Sequence, residues 1–204
     1  MNRWTLVFGV LACASVISFF GCGQTDSPIA HVKLVHGAVQ TRFSLKADFS
    51  PAKEDDALAV GGAVKTGEDA SAQIVFLDKG EAAVKPESYF EVGSGQNLGK
   101  QVSGAAVYRV NKQKDSVKVE TPQGVTAVLG TVFRLDVSAT QTTVIVDEGR
   151  VAFTNQAGNT AEVNPGQKLV ANAQGALSAP TALDPVTRDA LFNPQGGAVQ
   201  VNPR

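Results

Sequence analysis

From Ala30 to Ala171 this chain is written in short runs where apolar and polar residues alternate: HVKLV, AVQTRF, AQIVF, AVYRV, SVKVE, TVFRLDV, TTVIV, RVAF and QKLVA. Valine, threonine and aromatic residues fill the runs, and Gly, Asp, Asn and Pro interrupt them about every 8–12 residues. A period of two sends successive side chains to opposite faces of a pleated strand, so each run can bury one face and wet the other. In TVFRLDV, Phe133, Leu135 and Val137 fall on one face, and Val132, Arg134 and Asp136 on the other. A helical turn would scatter both sets around its circumference. The pattern predicts an all-β chain: one compact domain of short, mainly antiparallel strands, sandwich-like or solenoid-like, with a mostly irregular C-terminal tail.

The interruptions carry turn chemistry. Asp78-Lys79-Gly80 and Asp147-Glu148-Gly149 each put Gly where a three-residue hairpin connection needs a left-handed residue. Asn164-Pro165-Gly166 is a further turn. A weak echo links residues 72–84 and 142–153, each reading as strand, Gly turn, short strand. Gly130, inside a strand-like run, predicts a bulge or a close backbone approach, with Thr131 and Phe133 on one face. Ser44 to Asp56 is polar and reads as a surface loop. Residues 173–204 form a low-complexity tail, expected to be mobile outside a short helix at 185–192. That helix would have Asp184 as N-cap and Pro185 at its first position.

The N-terminus obeys different rules. One basic residue, Arg3, precedes an uncharged run from Trp4 to Gly21, followed by Cys22, Gly23 and the polar stretch Gln24 to Ser27. This is the pattern of a bacterial lipoprotein signal: residues 1–21 are expected to be removed, Cys22 to carry the lipid, and residues 22–29 to form a tether. The run is also near the minimum for a transmembrane helix, but Gly21, Gly23 and Pro28 crowd its exit and no basic residue flanks it. A plain secretory signal leaves the cysteine at the cut site unexplained. Two or more acyl chains hold a protein stably on a bilayer. Gly23 rather than Asp after the lipid site implies the outer membrane, with the domain facing the periplasm. From Cys22 to the first strand the extended tether reaches roughly 23 Å.

Removing residues 1–21 from the 204 leaves 183, enough for one domain with a real core. Arg3 is the only charge removed, so 17 basic residues face 19 acidic ones. With no block of like charge, nucleic acid is not an expected partner. Only Cys22 survives as a cysteine, so no intrachain disulfide is available and stability must come from burial and backbone pairing.

No constellation points to catalysis. His31 and His36, five residues apart, face opposite ways on a strand, and no cysteine could join them around a metal. Glu54-Asp55-Asp56 lacks the alternating ligand spacing of a calcium loop and reads as a solvated loop. Asp147 and Glu148 sit in a turn, no GxSxG occurs, and the glycine groups at 93–95 and 196–197 lack the context of a phosphate loop. No catalytic residue, metal or cofactor is therefore expected. The candidates for a ligand or partner surface are Tyr89 and Tyr108, aromatics in strand-like runs, and Thr131, beside Gly130.

Three segments together resemble the FecR-like domain family: GGAVKTGEDASAQIVFLDKGEAAVKPESYFEV at 61–92, VKVETPQGVTAVLGTVFRLDV at 117–137, and TTVIVDEGRVAFTN with NPGQKLV at 142–155 and 164–170. The second carries the family's most recognisable element, Thr121-Pro122 followed by Leu129-Gly130-Thr131-x-Phe133. The resemblance spans about 33–171 and implies an all-β envelope domain used for binding or sensing, at about 30–172. Signalling members of the family carry a sigma-factor-binding segment before a membrane helix. Here only Met1 to Arg3 precede the apolar run, so no sigma factor is expected as a partner. The expectation is a non-catalytic, lipid-anchored stand-alone member that binds or senses an envelope protein or envelope component. The alternative is a structural protein that binds peptidoglycan or surface polysaccharide.

Overall fold

The computed structural model describes residues 27–192, and within them the alternation becomes burial. The first half of the chain forms β1 (Ala30–His36), β2 (Val39–Arg42), β3 (Ser50–Pro51), β4 (Ala57–Leu58), β5 (Ala63–Thr66), β6 (Ser71–Phe76), β7 (Gly80–Val84) and β8 (Tyr89–Val92). The long β9 (Asn97–Val110) follows. The second half forms β10 (Val117–Thr121), β11 (Gly124–Val128), β12 (Val132–Val137), β13 (Gln141–Glu148), β14 (Val151–Asn155), β15 (Thr160–Val163), β16 (Gln167–Asn172) and β17 (Thr181–Ala182). The chain then forms the helix α1 (Pro185–Phe192). In β12, Phe133, Leu135 and Val137 are buried while Val132, Arg134 and Asp136 stay half-exposed, as period two requires.

The strands make two layers. One runs β4-β1-β6-β7-β9-β12-β13-β16-β17. The other runs β3-β2-β5-β8-β9-β10-β11-β14-β15. Every pairing is antiparallel except β9 with β10. The two layers share one core, to which the first contributes Ile74, Tyr108 and Phe133 and the second Phe90, Val119 and Phe153. After β9 the chain makes two strands in one layer and then two in the other, so the sandwich is wound like a short solenoid.

Strand β9 belongs to both layers. Its first part, to Ser103, pairs with β8, and its second part, from Gly104, pairs with β12. The crossing is at Gly104, where φ is +81° and an added Cβ would stand 2.1 Å from Ser88 Oγ, so only glycine fits. Beside the bend the Tyr108 hydroxyl donates to Gln101 Oε1 at 2.9 Å, and the Gln101 amide donates to the carbonyls of Gly104 and Leu135 at 2.8 and 3.2 Å. A run of rings crosses the core from Phe76 to Phe90, Tyr108 and Phe133, ending in a stacked pair with centroids 4.9 Å apart. Such pairs contribute about 0.5–1.5 kcal/mol each beyond their burial.

One turn reading is corrected. Asp78-Lys79-Gly80 does close a hairpin, β6 with β7. Asp147-Glu148-Gly149 does not: β13 pairs with β12 and β16, while β14 pairs with β11 and β15 in the other layer. Gly149 still adopts a left-handed φ of +78°, but its turn carries the chain across the sandwich. The echo between 72–84 and 142–153 is thus local in sequence and not repeated in pairing.

Beyond β16 the described chain stays on the body. β17 pairs with β16. Asp184 Oδ1 accepts from the Thr187 N–H at 2.9 Å, capping α1, and Arg188 lies 3.5 Å from Asp147. Phe192 packs on Val107 and Ile145, which point outward from the first layer. Cys22, the expected signal segment and the chain beyond Phe192 lie outside the described residues.

Candidate functional site

The family-like element Leu129-Gly130-Thr131 ends β11 and turns the chain from one layer to the other. It borders a groove of about 710 Å³ on the outer face of the second layer. The floor comes from a row across three strands, in which Ala127 of β11 lies opposite Ala152 of β14, and Ala152 opposite Glu162 of β15. Two small side chains in succession leave the depression that larger ones would fill. Leu129, 56% exposed, and Pro165 add apolar surface, and Arg150 reaches Glu162 at 3.4 Å. That ion pair is largely in water, so it contributes little stability and leaves both charges available to a ligand.

Two backbone approaches shape the wall. An added Cβ on Gly149 would stand 2.6 Å from Thr131 Cγ2, and one on Gly130 would stand 3.0 Å from Lys112 Cα. The close approach expected at Gly130 is therefore present. Thr131 is only 4% exposed, and its Oγ1 is buried without a hydrogen-bond partner. An unpaired buried hydroxyl costs about 1–3 kcal/mol. Thr131 thus borders the groove from below its surface.

The two tyrosines part company. Tyr89 is half-exposed on the outer face, edge-on to Phe49 at 6.3 Å and hydrogen-bonded to Glu91. Lys65 Nζ lies 4.3 Å from the Phe49 ring and 5.1 Å from the Tyr89 ring. Burial first, then the hydrogen bond from its hydroxyl to the Glu91 carboxylate, raises the Tyr89 pKa. Tyr108 is wholly buried and cannot serve a surface, which corrects its candidacy. It sits on the core face of β9 with Ala106 and Val110, and burial pushes its phenol well above the ordinary range.

Asp56 of the acidic loop has a structural post. Asp56 Oδ2 accepts from Thr41 Oγ1 at 2.9 Å and from the Lys53 N–H at 2.8 Å, pinning the loop before β4. Among the described residues no group of three or more His, Cys, Asp or Glu is placed to hold a metal. The sequence reading missed Leu129, Arg150, Glu162 and Pro165 as neighbours, and Phe49 as the ring on Tyr89. The glycines at 130 and 149 were the available signal for the groove, since each marks a place where the backbone is approached closely.

Residues 62–152 match the FecR protein family, a span from β5 to β14 that includes Leu129, Gly130, Thr131 and Arg150 of the groove. Among solved structures, two crystal structures of a proposed anti-sigma factor from Parabacteroides distasonis ATCC 8503 share the fold. Each aligns with a TM-score of 0.55 at 15% identity over 63% of this chain. The alignment covers 63% and 62% of those chains, respectively. No curated protein matches. These findings correct the expectation that no sigma factor would be involved: residues 62–152 match the FecR protein family, and the solved structures that share the fold are described as an anti-sigma factor. That expectation rested on the few residues ahead of the apolar run, which say nothing of what the β body takes part in.

Proposed function

We propose that this chain is a non-catalytic, lipid-anchored envelope protein whose β domain senses or relays a signal in sigma-factor regulation by binding a protein partner. The FecR match carries the reading, because the matched span includes most of the turn segments that wall the groove. The apolar run ending at Cys22-Gly23 supports lipid attachment at Cys22 and an outer-membrane location facing the periplasm. The groove supports binding rather than turnover: it offers a small-residue floor, an exposed leucine and one ion pair, and no nucleophile paired with a base. An extended segment with a small apolar side chain and a polar flank suits that surface.

Photo-crosslinking in the source cells tests this. A crosslinking amino acid at Leu129 or Arg150 is expected to capture one dominant envelope protein, and deleting the β domain is expected to change the output of a sigma-factor-dependent promoter. Capture of wall fragments alone, with no promoter response, would replace the reading with the structural one.

A further inference from the structure

The two ends of the sandwich differ in composition. At one end lie the turns at 59–62, 77–79, 93–96, 111–116, 129–131, 148–150 and 164–166, and the start of the 43–49 loop. Phe43, Leu45, Val60, Leu77 and Leu129 all belong to this end and are 39–71% exposed. Only two other large apolar side chains among the described residues are comparably exposed: Leu34 on β1 and Val186 on α1. The opposite end, formed by turns such as 67–70, 85–88, 122–123, 138–140 and 156–159, contributes none and carries Glu68, Asp69, Lys85 and Glu87.

Backbone bonds and close approaches link the segments that carry these residues. Ala59 donates to the Phe43 carbonyl, and an added Cβ on Gly61 would stand 2.9 Å from Leu45 Cβ. Ile29 donates to Leu58, and Leu77 donates to Ile29. Gln113 Nε2 donates to Asp78, and the Gln113 N–H donates to Leu129. Lys46, Lys79, Lys112, Lys114 and Arg150 stand among them, beside Asp48, Asp78, Asp115 and Glu148, and the Lys79 ammonium donates to the Gly95 carbonyl. Long basic side chains can lay their stems on an apolar surface and keep their ammonium groups in water.

The chain itself indicates what meets this rim. Ile29, where the N-terminal segment enters the fold, lies within it, hydrogen-bonded to both Leu58 and Leu77. Seven residues before Ile29 stands Cys22, at the end of the apolar run. We infer that this end of the sandwich is a bilayer-docking face, with Phe43, Leu45, Val60 and Leu77 seated in the lipid interface, the lysines at the headgroups, and Leu129 at its margin left to the groove. The inference rests on the membrane-anchored reading of residues 4–22. It goes beyond that reading in fixing which way the domain faces, and it does not depend on the sigma-factor role. Anchoring by lipid alone leaves the body free to tumble within roughly 23 Å of the surface, whereas docking orients it and opens the groove beside the bilayer.

The test uses the full-length chain in vesicles of phosphatidylethanolamine and phosphatidylglycerol. Leu45→Cys, Val60→Cys and Leu77→Cys carry an environment-sensitive fluorophore, Glu68→Cys and Ala139→Cys serve as the opposite-end controls, and the unsubstituted chain is the labelling blank. All five positions lie in turns or loops, and an unchanged melting transition confirms each fold. With nitroxide-bearing phospholipid the three rim labels are expected to lose at least half their fluorescence and the controls almost none. A chain that floats with the vesicles while rim and control labels respond alike overturns the docking face and leaves the anchor intact. A chain that fails to float overturns both. Rim labels insensitive to lipid, but shielded from iodide once envelope proteins are added, overturn it in favour of a protein-binding face.

Discussion

Thr131 stands where stability and binding separate. Its Oγ1 is buried without a partner, while its methyl packs against Gly149. Thr131→Val keeps that methyl and removes the unpaired hydroxyl, so the domain is expected to gain about 1–3 kcal/mol in a denaturant titration. A loss of more than about 1 kcal/mol would mean that the hydroxyl is hydrogen-bonded after all. Lys85 is the residue at which pH speaks. Burial, and then the positive charges of Arg134 and Arg109, lower its pKa below the ordinary 10.5. Between the lowered folded value and the unfolded value the unfolded chain binds more protons, so this group makes stability rise with pH across that window. Below the window the charged lysine is a net cost. Lys85→Gln removes both effects, so the difference in denaturation midpoint between parent and variant should shrink as pH climbs toward 10.5. A difference that stays constant from neutral pH upward would show that Lys85 titrates normally.

At the scale of elements, α1 is a cover rather than a scaffold. It is held by Phe192 on Val107 and Ile145, by the Asp184 cap and by Arg188 near Asp147. Replacing a buried Phe by Ala typically costs about 3–5 kcal/mol when the whole fold depends on it. Here the expected loss is local: Phe192→Ala should release amide protection in 185–192 and on the outer face of β9 and β13, while the sandwich melts nearly as before. Hydrogen exchange followed by mass spectrometry would show this, and a global fall in protection would refute it. The same helix explains what the sequence concealed. Alternation located the strands, and in β12 it also identified the core face. In β9 it could not, because GAAVYRV carries apolar residues on both faces, Tyr108 toward the core and Val107 toward α1. A period of two also says nothing about partners. The turn after β13 looked like a hairpin because its residues suit one, yet β13 and β14 each find both neighbours elsewhere. The groove was hidden for a related reason: Ala127, Ala152 and Glu162 become a row only once three strands are in register.

For the whole molecule, the span that matches a family and the span that folds are different. The match begins at Gly62 and ends at Ala152. A piece with those ends would lack β1, the partner of β6, and β2, the partner of β5. It would also lose β16, the partner of β13, and most of β14, the partner of β11. Val32, Val39, Leu58, Phe153, Val163 and Leu169, all buried in the shared core, would go with them. At about 1.5–3 kcal/mol for each such side chain, the loss matches or exceeds the 5–15 kcal/mol by which a domain is ordinarily stable. Four strand edges would open at the same time, each ready to pair with another copy. The piece 62–152 is therefore expected to be unfolded or aggregated, with strong binding of a hydrophobic dye and no cooperative transition, whereas 27–192 should melt in one step. Cooperative unfolding of the shorter piece would show that the two layers are stable without their flanking strands. It would also make β1, β2 and β16 additions to a smaller fold. The predicted failure instead makes them part of the scaffold that holds Leu129, Gly130 and Thr131 beside the groove, so recurrence of sequence marks the site's wall while stability is spread over the whole sandwich.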